Sequence, residues 1–153
     1  MNLQGLSYEL SLRALGQQER GLEELRNRTG TLLAASSLVA SFLGARAIDR
    51  VGVDGIALVP LLAFILSVLL SVYVLAPKAN LEFALRGSEV WEYFVSEDDD
   101  LSEAHRTLAY WIDDVHANNQ GLIDRLLICF STACFALVVE AVLWALELGG
   151  TLD

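Results

Sequence analysis

Three long apolar segments, each flanked by charged residues, constrain this chain more than any other feature of its sequence. They cover residues 31–48, 56–76 and 122–148. The second contains no charged residue in 21 positions. At about 1.5 Å per helical residue it extends roughly 31 Å, close to the thickness of the hydrocarbon core of a bilayer. The sequence therefore predicts an all-α integral membrane protein with three transmembrane helices.

The basic residues predict how the spans are oriented, because lysine and arginine near the ends of spans tend to stay in the cytoplasm. Eight of the ten basic residues precede the first span or lie between the second span and the start of the third, and only Arg46 and Arg50 lie on the opposite side. This bias places the amino terminus and residues 78–121 in the cytoplasm. Residues 49–55 and the carboxyl terminus are then expected outside.

The segments outside the spans predict two helical additions within a single membrane domain. Residues 1–30 form an amphipathic helix, with leucines recurring every three or four positions and charged residues on the opposite face. No proline occurs from Leu12 to Ile48, so this helix and the first span are expected to form one continuous rod. Residues 78–121 carry two apolar stripes separated by an acidic connector at 96–100. They predict a cytoplasmic helical hairpin whose arms extend the second and third spans.

Composition and motifs exclude several classes of function. The net charge of −10 in 153 residues opposes binding to nucleic acid or to an anionic surface. Three spans leave no room for a separate enzyme domain, and no phosphate-binding loop or Gly-x-Ser-x-Gly motif is present. Asp113 and His116 have a metal-site spacing, but His105 lies about 16 Å away along the helix, too far to share an ion. We expect neither an enzyme, nor a metal site, nor another cofactor.

Two cysteines lie in the third span, at Cys129 and Cys134. Five residues turn a helix by about 140°, so the two side chains point apart. They are expected to act as small apolar residues.

Glu140 is the leading candidate for a functional residue, because an ionised carboxylate is costly so deep in a span. Helical spacing places the small residues Ala136 and Ala133 on the same face. Three interpretations remain open: Glu140 lines a pore or ion path, a protonated Glu140 makes an interhelical hydrogen bond, or its carboxylate reaches the interface. Arg46 lies at a similar depth and is a candidate partner, although it is about 140° from the small-residue face of the first span.

Small residues at three- and four-residue spacing mark that face of the first span. It comprises Gly30, Ala34, Ser37, Ser41 and Gly44. A similar series, Ala63, Ser67 and Ser71, lies in the second span. Such spacing lets helices approach closely in lipid. It predicts a homo-oligomer, although the spacing alone does not separate packing within a chain from packing between chains.

Aromatic residues are concentrated in the predicted hairpin. They include Trp91, Tyr93, Tyr110 and Trp111. One interpretation is that the rings join the arms of the hairpin to each other and to the amino-terminal helix. The other is a recognition surface for a ligand or partner protein.

The order of the segments resembles a known family. An amphipathic helix enters the first span through Arg26-Asn27-Arg28-Thr29-Gly30-Thr31-Leu32-Leu33-Ala34-Ala35, and a short outer loop, a second span, a cytoplasmic hairpin and a third span follow. This layout is similar to the transmembrane effectors of bacterial anti-phage signalling systems. The Pycsar-type family is the nearest in layout, and SLATT-type effectors are its relatives.

The resemblance implies a function as well as a location. Such an effector resides in the inner membrane and stays quiet until a nucleotide signal or a separate sensor protein reports infection. It then oligomerises and permeabilises the membrane, which stops growth in abortive infection. The alternative is an accessory or regulatory membrane subunit that forms no pore and binds a partner protein through the cytoplasmic hairpin.

Overall fold

The computed structural model describes residues 3–46, 49, 58–78, 81–83 and 101–149, and every regular element within them is helical. Helix α1 covers Leu3–Val39 and is followed by a π-helical segment, Ala40–Gly44. Helix α2 covers Leu58–Leu75, and helix α3 covers Leu101–Leu148. The predicted all-α class is confirmed. Among the described residues, two stretches, Leu58–Leu75 and Glu103–Leu148, are long and apolar enough to cross a membrane.

Helix α1 runs without a break from the amphipathic segment into the first apolar segment, as the absence of proline predicts. Its regular hydrogen bonding changes only at the π-helical segment, Ala40–Gly44. Ser37 Oγ donates to the Leu33 carbonyl at 2.9 Å and Ser41 Oγ to the Ser37 carbonyl at 2.7 Å. Serine hydroxyls that bond to a carbonyl of the preceding turn slightly destabilise or bend a helix. π-helical turns occur where the regular backbone hydrogen bonding of a helix is locally disturbed.

A proline residue lies near each end of helix α2. Pro60 lies in the first turn, where its missing N–H costs no helical hydrogen bond. The helix ends at Leu75 because Pro77 cannot donate a hydrogen bond and disfavours the helical conformation at Ala76. Residues 76–78 and 81–83 are not helical. The first arm of the predicted hairpin is therefore not a direct extension of α2, and that part of the prediction is wrong.

Helix α3 does continue from the second arm of the predicted hairpin into the third apolar segment, as predicted. The remainder of the hairpin, residues 84–100, lies outside the described residues, and so do Trp91 and Tyr93.

The chain divides into two compact units. The first combines Met1–Glu23 with Lys78–Asp124, and the second combines Glu24–Pro77 with Arg125–Asp153. The first unit has an apolar core of Leu15, Ile112 and Val115, against which Tyr8 and Phe83 pack. Each of these residues comes from α1, α3 or the segment after Pro77, so the core holds these three parts together.

A buried amide, Asn119, completes the first unit. Its Nδ2 donates to the main-chain carbonyl of Glu82 at 2.7 Å, and its Oδ1 accepts from the main-chain N–H of Glu82 at 3.3 Å. Nδ2 also lies 3.3 Å from Gln18 Oε1, and Gln18 Nε2 donates to the His116 carbonyl at 3.1 Å. Because Asn119 is nearly fully buried, these bonds satisfy polar groups that water does not reach.

Candidate functional site

The second unit places polar and small side chains inside and large apolar side chains outside. Its buried polar residues are Thr29, Ser36, Ser67, Ser71, Glu140 and Glu147, beside the small residues Gly44, Ala133 and Ala136. Large apolar residues are exposed on all three helical parts, among them Phe42 at 66%, Leu69 at 63% and Phe135 at 71%. A domain in water buries such residues, whereas lipid leaves them on the surface and favours small and polar residues between helices. The distribution suits a bundle surrounded by lipid.

Four groups in this interior form one polar cluster, which comprises the side chains of Ser36, Ser67 and Glu140 and the carbonyl of Ala133. Glu140 Oε2 and Ser36 Oγ form a hydrogen bond of 3.0 Å. Ser36 Oγ lies 3.3 Å from Ser67 Oγ. Ser67 Oγ donates to the Ala133 carbonyl at 3.2 Å. The polar cluster therefore links α1, α2 and α3 at one level of the bundle.

Helical spacing explains why these side chains meet. On α1 the buried positions Leu25, Thr29, Leu32 and Ser36 recur every three or four residues, which defines one helical face. On α3 the same rule aligns Ala133 and Ala136 with Glu140. The alanines leave space beside the acid, so the carboxyl group can reach the serines of neighbouring helices.

Several buried polar atoms in the second unit have no hydrogen-bond partner among the described residues. They are Arg26 Nε, Glu140 Oε1, Ser71 Oγ, Trp144 Nε1 and Glu147 Oε2. Ser71 follows Ser67 by one helical turn, so it extends the polar face of α2. A buried polar atom without a hydrogen-bond partner is energetically costly, so each of these atoms needs an explanation.

Gly44 and Trp144 make a close contact at the end of the π-helical segment. A Cβ atom added at Gly44 would lie 3.3 Å from Cζ2 of Trp144. Trp144 is almost completely buried, and Val39, Leu43 and Leu148 pack around it. Gly44 thus allows the indole ring to lie directly against the backbone of the π-helical segment.

The residues singled out in the sequence are divided between the interior and the surface. Glu140, Ala136, Ala133 and Gly44 are buried, whereas Ser37, Ser41 and Arg46 are exposed. Arg46 and Glu140 are both described, and no ion pair joins them. Within the second unit, Glu140 has the geometry that the interhelical hydrogen-bond interpretation requires.

Ser36 is the residue that sequence reasoning missed. The small-residue spacing predicts a packing face of the first span through Ser37 and Ser41, one position away. The signal was present in the amphipathic helix, where the apolar series Leu22, Leu25, Thr29 and Leu32 continues by four residues to Ser36.

Of the four aromatic candidates in the predicted hairpin, Tyr110 and Trp111 lie within the described ranges, on the surface of the first unit. Tyr110 is 69% and Trp111 41% exposed. Tyr110 lines an open groove of about 450 Å³ together with Leu3, Gln4, Ser7, Arg106, Ala109 and Asp113. The described residues include no group of three or more histidine, cysteine or acidic side chains that could hold a metal ion.

Comparison with protein-family models, curated proteins and solved structures finds no match to this chain. The resemblance to anti-phage effectors therefore remains a hypothesis about layout and function.

Proposed function

We propose that this protein is an oligomerising effector that permeabilises the inner membrane, in keeping with the anti-phage effectors that its layout resembles. In this proposal α2 and the second half of α3 cross the bilayer. The end of α1, with the π-helical segment, supplies the third span. The proposed trigger of the effector is a nucleotide signal or a separate sensor protein.

The polar cluster supports the assignment of the third span. α1 has no charged residue between Arg28 and Arg46, and it shares the polar cluster with α2 and α3 in the second unit. A helix bonded to two lipid-embedded helices lies in the same lipid. Phe42 and Leu38, both exposed, give this part of the chain an apolar outer surface.

The single observation that carries the proposal of assembly is the exposed small-residue stripe of the first span. It comprises Gly30, Ala34, Ser37 and Ser41. These residues do not contribute to the buried interior of the second unit, so the stripe is available to a second copy of the chain. Because the Ser37 and Ser41 hydroxyls already bond to backbone carbonyls, the stripe also tolerates lipid before assembly. Small residues at this spacing let two helices approach closely, and self-association of membrane proteins usually closes into rings.

Induced expression in a bacterial host tests the proposal directly. We expect the parent protein to collapse the membrane potential, read with a voltage-sensitive dye, and to stop growth. Ser41→Leu places a bulky side chain on the stripe, so it should reduce both the depolarisation and the oligomer trapped by crosslinking. Phe42→Leu is the matched control, because Phe42 is exposed beside the stripe and the change keeps an apolar surface.

The outcome also separates the effector from the accessory subunit. A parent protein that is monomeric in nanodiscs and leaves the potential intact would contradict the proposal. It would favour an accessory or regulatory subunit that binds its partner through the cytoplasmic hairpin.

The orientation in the membrane is proposed from the distribution of arginines. In a variant whose two cysteines are replaced by alanine, a cysteine at Asp99 should be protected from impermeant thiol reagents in cells stripped of their outer membrane. A cysteine at Thr151 should be labelled, because the charge bias puts the carboxyl terminus outside. Labelling at Asp99 with protection at Thr151 would reverse the topology.

A further inference from the structure

The polar cluster has one more hydrogen-bond contact than its serines can supply with protons. Its three oxygen–oxygen contacts are 3.0 Å between Glu140 and Ser36, 3.3 Å between Ser36 and Ser67, and 3.2 Å between Ser67 and the Ala133 carbonyl. Each serine hydroxyl has a single hydrogen, and the carbonyl only accepts. With an ionised Glu140, one of the three pairs would bring two oxygens together without a hydrogen between them.

A proton on Glu140 removes this deficit. The carboxyl group then donates to Ser36, Ser36 donates to Ser67, and Ser67 donates to the carbonyl of Ala133. Every contact has one hydrogen, and all the donors point in the same direction along the chain of oxygens. Hydrogen bonds that run in one direction polarise and strengthen one another in an interior of low dielectric constant.

The described residues around Glu140 offer no positive charge that could balance an ionised carboxylate. From Thr29 to Gly44, α1 carries no ionisable side chain, and α2 carries only Tyr73, which is exposed. On α3 the nearest ionisable groups are Cys134 and the buried Glu147, neither of which supplies a cation. A buried carboxylate without a cationic partner is strongly disfavoured, and binding a proton is the usual way to neutralise it.

We propose that Glu140 is a proton-binding site in the interior of the second unit, with Ser36 and Ser67 as the relay that receives its hydrogen bond. The bound ligand is a single proton. A sodium ion is the competing occupant, because the polar cluster is built entirely from oxygen atoms and has one carboxylate to balance a monovalent charge. The site requires only the fold of the second unit, so it exists whether or not the protein assembles into a conducting path.

Infrared difference spectroscopy of the protein in nanodiscs at neutral pH tests the site. The spectrum of the parent minus that of Glu140→Gln should contain the C=O stretch of a protonated carboxyl group. That band should be equally strong in potassium and in sodium buffer. Glu103→Gln is the matched control, because Glu103 is exposed beside Arg106 and its substitution should leave the band unchanged.

Ser36→Ala distinguishes the relay from an isolated protonated acid. It removes the acceptor of the carboxyl hydrogen, so the band should persist and move to higher frequency. The frequency shift in Ser36→Ala also assigns the band to Glu140 if Glu140→Gln does not fold, because the Ser36→Ala protein keeps the carboxyl group. A difference spectrum that shows only carboxylate bands would overturn the proposal. A band that is present in potassium and lost in sodium at the same pH would also overturn it, and would assign the site to sodium.

Discussion

Ile112→Ala should destabilise the first unit by about 2–5 kcal/mol, because it removes a fully buried side chain from the core that joins α1 to α3. The loss combines the free energy of burial with the cavity left among Leu15, Val115 and their neighbours. Hydrogen-exchange mass spectrometry measures this loss of stability. Peptides from the part of α3 that lies in the first unit should exchange faster than in the parent. The backbone amides of the second unit should exchange at the same rate as in the parent, since the substitution does not touch the polar cluster of that unit.

Tyr110→Ala is the control for this prediction. Tyr110 lies two residues from Ile112 on the same helix but is largely exposed, so its removal should change stability by no more than about 0.5 kcal/mol. Equal destabilisation by both substitutions would mean that Ile112 does not form the core of the first unit. Tyr110→Ala also removes an aromatic ring from the groove, so a loss of partner binding without a loss of stability would identify that surface as a binding site.

Gly44→Leu should disrupt the packing of the π-helical segment against Trp144. Even a single carbon at this position would lie 3.3 Å from the indole ring, and leucine adds three more. Overpacking of this kind costs about 1–3 kcal/mol, or displaces the ring. Trp144 fluorescence, measured with the other tryptophans replaced by phenylalanine, should report a change in the environment of the indole.

Gly44→Ala and Ser41→Leu are the controls for the effect of Gly44→Leu on Trp144 fluorescence. Gly44→Ala adds only the first carbon, so its effect should be much smaller than that of Gly44→Leu. Ser41→Leu changes an exposed residue on the same segment, so it should alter assembly and leave the fluorescence of Trp144 as it is in the parent. If Gly44→Leu left the fluorescence unchanged, the contact between Gly44 and Trp144 would not exist in the folded protein.

Features encoded by the backbone or by long periodic patterns were readable from the sequence. The absence of proline predicted that α1 enters the first apolar segment without a break. The unbroken pattern after residue 101 predicted that the second arm and the third apolar segment share one helix. Each of these depends on local geometry, which neighbouring residues determine.

Features that depend on the rotation of one helix against another were not readable. Ser36 and Ser37 are equally small and polar. The helical series through Leu32 continues to Ser36, but it does not show which side chains of α2 and α3 that face meets. The hydrogen bond between Ser36 and Glu140 joins residues 104 positions apart, so no spacing rule connects them. The prediction that the first arm of the hairpin extends α2 directly was wrong, because a periodic pattern after Pro77 does not show where the next helix begins.

The buried amide of Asn119 has a consequence for how this chain can vary. It bonds to both main-chain groups of Glu82, in the way that one strand pairs with the next, and it makes no use of the glutamate side chain. Position 82 is therefore held by its backbone, which nearly every amino acid presents alike, whereas position 119 needs a side chain that both donates and accepts. Homologous sequences should accordingly vary at position 82 and keep an amide side chain at position 119. The amide at position 119 is therefore a marker for distant relatives whose apolar helices are too different to align.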